Sequence, residues 1–167
     1  DRVVEKTRPF SPTKGHLEAT LKNYGPAFKV EMKFKLKGFP SNSSDWENIL
    51  HITVGEDANK RGTRYPSLWI NKNKFLHFTN CVDDTSNYSK DYRSLPTYSS
   101  NQHQLYHIII QQKLIEGKWM YQVFVDGQLF VSVENTKPMR LDEAKLYLSD
   151  PWYNAANVEF TYLRIEY

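Results

Sequence analysis

An all-β fold of two antiparallel sheets packed face to face is predicted by three features of this 167-residue sequence. Apolar and polar residues alternate with period 2 in many short segments, turn-forming dipeptides separate those segments, and helical periodicity is nearly absent. The length suits one domain, residues 1–167, closing one core.

The elements follow in order. Leu17, Ala19 and Leu21 alternate ahead of the turn Tyr24-Gly25-Pro26. Across that turn, residues 27–37 alternate strictly. Phe28, Val30, Met32, Phe34 and Leu36 form a core face, and Lys29, Glu31, Lys33, Lys35 and Lys37 a water face that also discourages edge pairing. Further strands are expected at 48–54, 67–71, 75–79, 105–114, 118–125, 129–134, 145–148 and 158–167, about ten in all. Asp126-Gly127 stands between two alternating runs and specifies a tight type I′ hairpin. Glu116-Gly117 joins 105–114 to the next strand, completing a meander. Residues 140–144, after Pro138, could supply one helical turn. The interval from Thr79 to Gln104, rich in Asn, Asp, Ser and Tyr, reads as a long loop, a frequent carrier of function.

Composition narrows the function. Aromatic residues make up 14% of the chain, a share suited to strands and binding surfaces. The 22 basic and 19 acidic residues are interspersed, without the basic stripe that nucleic acid requires, so nucleic acid is not an expected partner. No run approaches the ~20 apolar residues of a membrane span, so no membrane insertion is expected. The sequence opens at Asp1 without a hydrophobic leader, as a processed secretory chain or an excised piece would. Asn42-Ser43-Ser44 and Asn87-Tyr88-Ser89 match the glycosylation acceptor pattern, which places Asn42 and Asn87 as candidate glycan carriers on an extracellular protein. The single cysteine, Cys81, is expected to be a buried or half-buried free thiol.

Three stretches carry a family resemblance: residues 121–129 around Val125-Asp126-Gly127, Glu134-Asn135-Thr136-Lys137-Pro138, and residues 144–151 ending in Ser149-Asp150-Pro151 before a last strand. Their order resembles the concanavalin A-like superfamily of laminin G-like modules, pentraxins, legume lectins and bacterial glucanases. Residues 65–70 and 75–78 are similar to paired strands of laminin G-like modules. The resemblance covers most of the chain as strand order, through short motifs. It implies a jelly-roll β-sandwich and ligand recognition outside the cell.

Catalysis is not expected. The glucanase branch carries Glu-x-Asp-x-x-Glu on one strand, and this sequence has no such triplet. Glu56-Asp57 and Asp83-Asp84 are adjacent pairs that read as solvated loops. His51, His77, His103 and His107 lack a matching nucleophile and form no HExxH zinc motif.

Two segments remain as candidate sites. Asp83 and Asp84, in an acidic stretch with Asn80, Asn87 and Asp91, are candidate calcium ligands. Asp150, Trp152, Tyr153 and Asn154 combine ring faces with hydroxyl-binding groups, the pairing that sugar sites use. Trp152 reads equally as a plug at the sandwich end between Pro151 and Tyr162, and Trp46 as packing beneath its own loop. The expected function is therefore non-catalytic binding of a glycan. Recognition of an extracellular protein or a structural role stands second and polysaccharide cleavage third, and homo-oligomers are compatible with all three.

Overall fold

The computed structural model describes residues 2–41, 44–95 and 104–167. Thirteen strands and no helix occur among them. They are β1 Val3–Lys6, β2 Leu17–Tyr24, β3 Phe28–Leu36, β4 Trp46–Thr53, β5 Ser67–Asn71, β6 Phe75–Val82, β7 Thr85–Tyr92, β8 Gln104–Ile115, β9 Lys118–Val125, β10 Gln128–Glu134, β11 Leu141–Tyr147, β12 Asn154–Ala155 and β13 Val158–Glu166. One sheet has the order β1-β13-β3-β8-β9-β10, the other β2-β11-β4-β5-β6-β7, with β12 beside β4. Pairing is antiparallel throughout except for β12, which runs parallel to β4.

The sandwich follows from the alternation. In β3, Phe28, Val30, Met32, Phe34 and Leu36 are buried, Lys33 and Lys35 are exposed, and Lys29 and Glu31 lie half-buried on the outer face. Their buried side chains join those of both sheets, including Leu68, Ile70, Leu76 and Phe78 from the second, in one core. Cys81 is a buried free thiol within it. The β9–β10 hairpin turns through Asp126 (φ 50°) and Gly127 (φ 81°), both left-handed as a type I′ turn requires, and Val125 pairs with Gln128 across it.

Two expectations are corrected. Residues 140–144 form no helical turn, because Leu141–Tyr147 is a strand clamped between β2 and β4. Ala144 and Leu146 then face the core with the period of a strand. The interval after Thr79 is not one long loop: β6 runs on to Val82, and β7 pairs back along it from Thr85 to Tyr92. β7 is polar because it is an edge strand, so its sequence lacks the apolar alternation that marks the inner strands.

A buried polar cluster ties the sheets together near Asn135. Its Nδ2 donates to the Cys81 carbonyl (3.1 Å) and to Gln112 Oε1 (2.9 Å), and its Oδ1 accepts from the backbone N–H groups of Asp83 (2.9 Å) and Lys137 (3.1 Å). Gln112 in turn donates to the Tyr65 hydroxyl (2.7 Å) and the Pro26 carbonyl (2.8 Å).

Candidate functional site

Alternation in the second sheet sets the floor of the site. Leu68 and Ile70 of β5 and Leu76 and Phe78 of β6 point into the core, so Ser67, Trp69, Asn71, Phe75, His77 and Thr79 occupy the opposite face. Register places Trp69 between Asn48 of β4 and His77 of β6, and His77 beside Asp91 of β7. This row of large polar-aromatic side chains crosses four strands.

Two connections cover part of that face, residues 54–66 between β4 and β5 and residues 148–153 between β11 and β12. The second reverses the chain: β11 leaves β4 at the Tyr147–His51 pair, and β12 rejoins it at Asn154–Glu47. Asp150 holds this reversal. Its Oδ1 accepts the backbone N–H groups of Trp152 (3.0 Å) and Tyr153 (2.8 Å), and its Oδ2 accepts from His51 Nδ1 (2.8 Å). The N–H of Asp150 donates to Asn48 Oδ1 (2.9 Å). The other ring nitrogen of His51 lies 2.6 Å from the Thr63 carbonyl, and the Thr63 hydroxyl donates to the Ala58 and Lys60 carbonyls. One buried histidine therefore pins both connections to β4.

Between these covers and β7 opens a groove of about 280 Å³ lined by Trp46, Arg64, Trp69, His77, Asn87 and Tyr153. Trp69 is only 2% exposed, covered by the Arg64 guanidinium 4.5 Å above its ring and by the rings of His51, His77 and Tyr153 around it. Arg64 is fixed by a fork on Asp57, Nε to Oδ1 at 2.8 Å and Nη2 to Oδ2 at 3.2 Å, while Nη1 donates to Asn87 Oδ1 at 2.9 Å. The half-buried rings of Trp46 and Tyr153 form the walls; Tyr153 meets Trp69 edge-on at 5.8 Å, and Trp46 meets His77 at 4.7 Å. Burial pushes the Tyr153 hydroxyl above its ordinary pKa, and the negative charge of Asp57 adds to the shift. Burial holds the His77 imidazole below its ordinary value, although its 2.6 Å hydrogen bond to Asp91 pulls the other way. A second hollow of about 160 Å³, lined by Ala58, Asn59, Arg64 and Asn87, shares two residues with the groove and continues it past Arg64.

The residues singled out from the sequence separate here. Tyr153 lines the groove. Asp150 does not: it is fully buried with both oxygens engaged, so direct contact with a ligand gives way to a role in shaping the corner. Trp152 is 39% exposed and packs against His51 and Tyr147 rather than plugging the sandwich. Asn154 is exposed in β12. Asp57, expected in a solvated loop, is largely buried against Arg64.

The calcium expectation does not suit Asp83 and Asp84. Asp83 Oδ1 accepts the N–H and hydroxyl of Thr136 (2.6 Å each), which hold its carboxyl below its ordinary pKa. Asp84 faces the Lys137 ammonium (2.5 Å), a competing cation. Among the described residues no group of three or more His, Cys, Asp or Glu side chains converges as a metal site. Asn42 and His103 lie outside the described residues. Asn87 is exposed on β7 and lines the groove. No helix among the described residues is long and apolar enough to cross a membrane.

The sequence could have yielded Trp69 and His77, since period 2 in two neighbouring strands places both on the outer face. Arg64 carried no such signal. Its place depends on a loop fold held by Asp57, seven residues away.

No family model matches the chain, and no curated protein sequence matches it. Solved structures do match, at the level of fold. The CBM40 module of Ruminococcus gnavus IT-sialidase, solved bound to α2,6 sialyllactose, is similar at a TM-score of 0.60 and 12% identity, over 97% of this chain and 90% of that one. The leech intramolecular trans-sialidase is similar at 0.60 and 8% identity, over 97% of this chain and 25% of that one. The receptor-binding domain of botulinum neurotoxin type G is similar at 0.56 and 11% identity, over 98% of this chain and 40% of that one. The chain thus shares the two-sheet antiparallel β-sandwich seen in carbohydrate-binding modules.

Proposed function

We propose that this chain is an extracellular, non-catalytic glycan-binding domain whose site is the groove lined by Trp46, Arg64, Trp69, His77, Asn87 and Tyr153. The carrying observation is the composition of that groove. Two half-buried ring faces flank a fixed guanidinium and an amide, the surfaces a pyranose needs for its apolar face and its hydroxyls. The fold supports the reading, because the Ruminococcus gnavus module of the same architecture was solved with a sialylated sugar. Binding without cleavage is favoured by the carboxylates beside the groove: Asp57 is forked on Arg64, and Asp91 is bound to His77 and Arg93. Both act as tethers for other side chains.

The test is a glycan array followed by titration of the best ligand. Tyr153→Ala removes one wall, and loss of an aromatic contact should weaken binding roughly tenfold while the variant still melts cooperatively. Trp152→Ala, outside the groove lining, should leave affinity within about twofold of the parent. The reverse pattern, with Trp152 essential and Tyr153 dispensable, would move the site to the exposed corner. Release of reducing sugar from any ligand on the array would refute the non-catalytic reading.

A further inference from the structure

The groove's charges are already matched from within the protein. Arg64 presents its Nε and Nη2 edge to Asp57, and this is the edge that would receive a ligand carboxylate in a bidentate fashion. Its remaining contacts are Nη1 to Asn87, the ring of Trp69 beneath it and the Tyr153 hydroxyl, so what it can still offer a ligand is a single N–H rather than a fork. On the opposite side, Arg93 Nη2 donates to Asp91 Oδ2 (3.0 Å), and the other oxygen of that carboxylate is taken by His77. Arg64 with Asp57 and Arg93 with Asp91 each sum to zero, and burial favours the uncharged form of His77. Two carboxylates thus stand beside the groove, Asp57 holding Arg64 by its fork and Asp91 bonded to one N–H of the more exposed Arg93. An incoming carboxylate would have to displace Asp57 from Arg64, or sit beside Asp57 and Asp91 without a free cation among the described residues of the lining.

Resting on the glycan-binding reading above, we infer that this groove selects neutral saccharides and discriminates against acidic ones such as sialylated or uronic-acid sugars. The remaining Arg64 N–H and the Asn87 and Asn59 amides are then donors and acceptors for hydroxyls, the role that suits neutral polar ligands. The chain therefore shares a fold with the Ruminococcus gnavus module while departing from the charge of the sugar in that module's structure.

The experiment compares the full chain on matched pairs of oligosaccharides, each neutral core with its sialylated or glucuronylated counterpart, by array and then by calorimetric titration in low and physiological salt. Neutral cores should bind at least about tenfold more tightly than their acidic counterparts. Asp57→Asn frees the Arg64 fork while preserving shape, and it should raise affinity for the acidic partners by about tenfold or more relative to their neutral cores. Asp91→Asn, which unbalances the far side and leaves Arg64 tethered, should give a smaller gain and serves if Asp57→Asn melts early. Acidic sugars bound more tightly than their cores by the parent, or an acidic-sugar affinity unmoved in a folded Asp57→Asn, would overturn the inference while leaving glycan binding intact. Binding of no sugar of either class by parent and variants would instead refute the glycan-binding reading, and this inference with it.

Discussion

Asp150→Ala separates a corner-builder from a ligand contact. The side chain is fully buried and makes three hydrogen bonds, to His51 and to the backbone N–H groups of Trp152 and Tyr153. Truncation leaves those donors without their acceptor where little water can reach, at about 1–3 kcal/mol for each unsatisfied buried group. Partial relaxation of the chain around Trp152, which is exposed, recovers some of this, so a net loss of about 4 kcal/mol is expected, in line with breaking other buried charged hydrogen bonds. For a domain of this size that corresponds to a melting temperature lower by roughly 8–16 °C. Asp150→Asn keeps one oxygen for the two N–H groups but turns an amide toward His51, and about half the loss should remain. Urea titration with an unchanged m-value, read beside glycan affinity well below both melting points, is the assay. An Asp150→Ala variant that melts within about 2 °C of the parent yet binds nothing would refute the reasoning and return Asp150 to the ligand.

Asn135→Ala should cost about 2–4 kcal/mol by urea denaturation, since it strips partners from the Cys81 carbonyl, Gln112 and two backbone N–H groups at once; a loss under 1 kcal/mol would show that the cluster repacks. His77 has a folded pKa below its ordinary 6.5, so the unfolded chain takes up the proton first as pH falls. Its contribution to stability should be constant above that value and decline as pH drops from 6.5 through the lower folded pKa, a dependence that His77→Gln should flatten. Asn87 lines the groove, so a chain carrying a glycan there should bind added sugar weakly, and Ser89→Ala, which abolishes the acceptor triplet but keeps the Asn87 amide, should restore binding. Mass spectrometry of the bound fraction checks this, and full affinity in a fully Asn87-glycosylated chain would contradict it.

The inner strands were legible because each has one face in the core. β3 shows five buried apolar residues alternating with charges, and the Asp126-Gly127 turn was specified by conformations its residues readily adopt. The strands that carry no signal in the sequence are those whose pairing does not depend on apolar side chains. β7 is a polar edge strand, β1 is a four-residue edge strand, and β12 exists because Asp150 and Asn48 turn the chain back onto β4. The start of Leu141–Tyr147 lacks a strand signature in sequence because Asp142 and Glu143 are exposed and interrupt the apolar pattern there. In the candidate site the same division holds. Tyr153, which lines the groove, stands out by residue type, Trp69 and His77 by alternation, and the place of Arg64 depends on a contact that local sequence does not encode.

That division bears on what a shared fold can say about a ligand. The groove's floor is carried by strands: Trp46 on β4, Trp69 on β5, His77 on β6 and Asn87 on β7 are spaced by the pleat and the register, which any chain with this sheet reproduces. The groups that set its charge and close its wall, Arg64, Asp57 and Tyr153, come from the two connections pinned by His51. Connections tolerate change that a core strand does not, since their backbone is not committed to a ladder and their side chains displace no core volume when replaced. A sandwich can therefore keep its groove while the sign of the charge inside it changes. In this chain the Arg64 fork faces the protein, held there by a single carboxylate, Asp57.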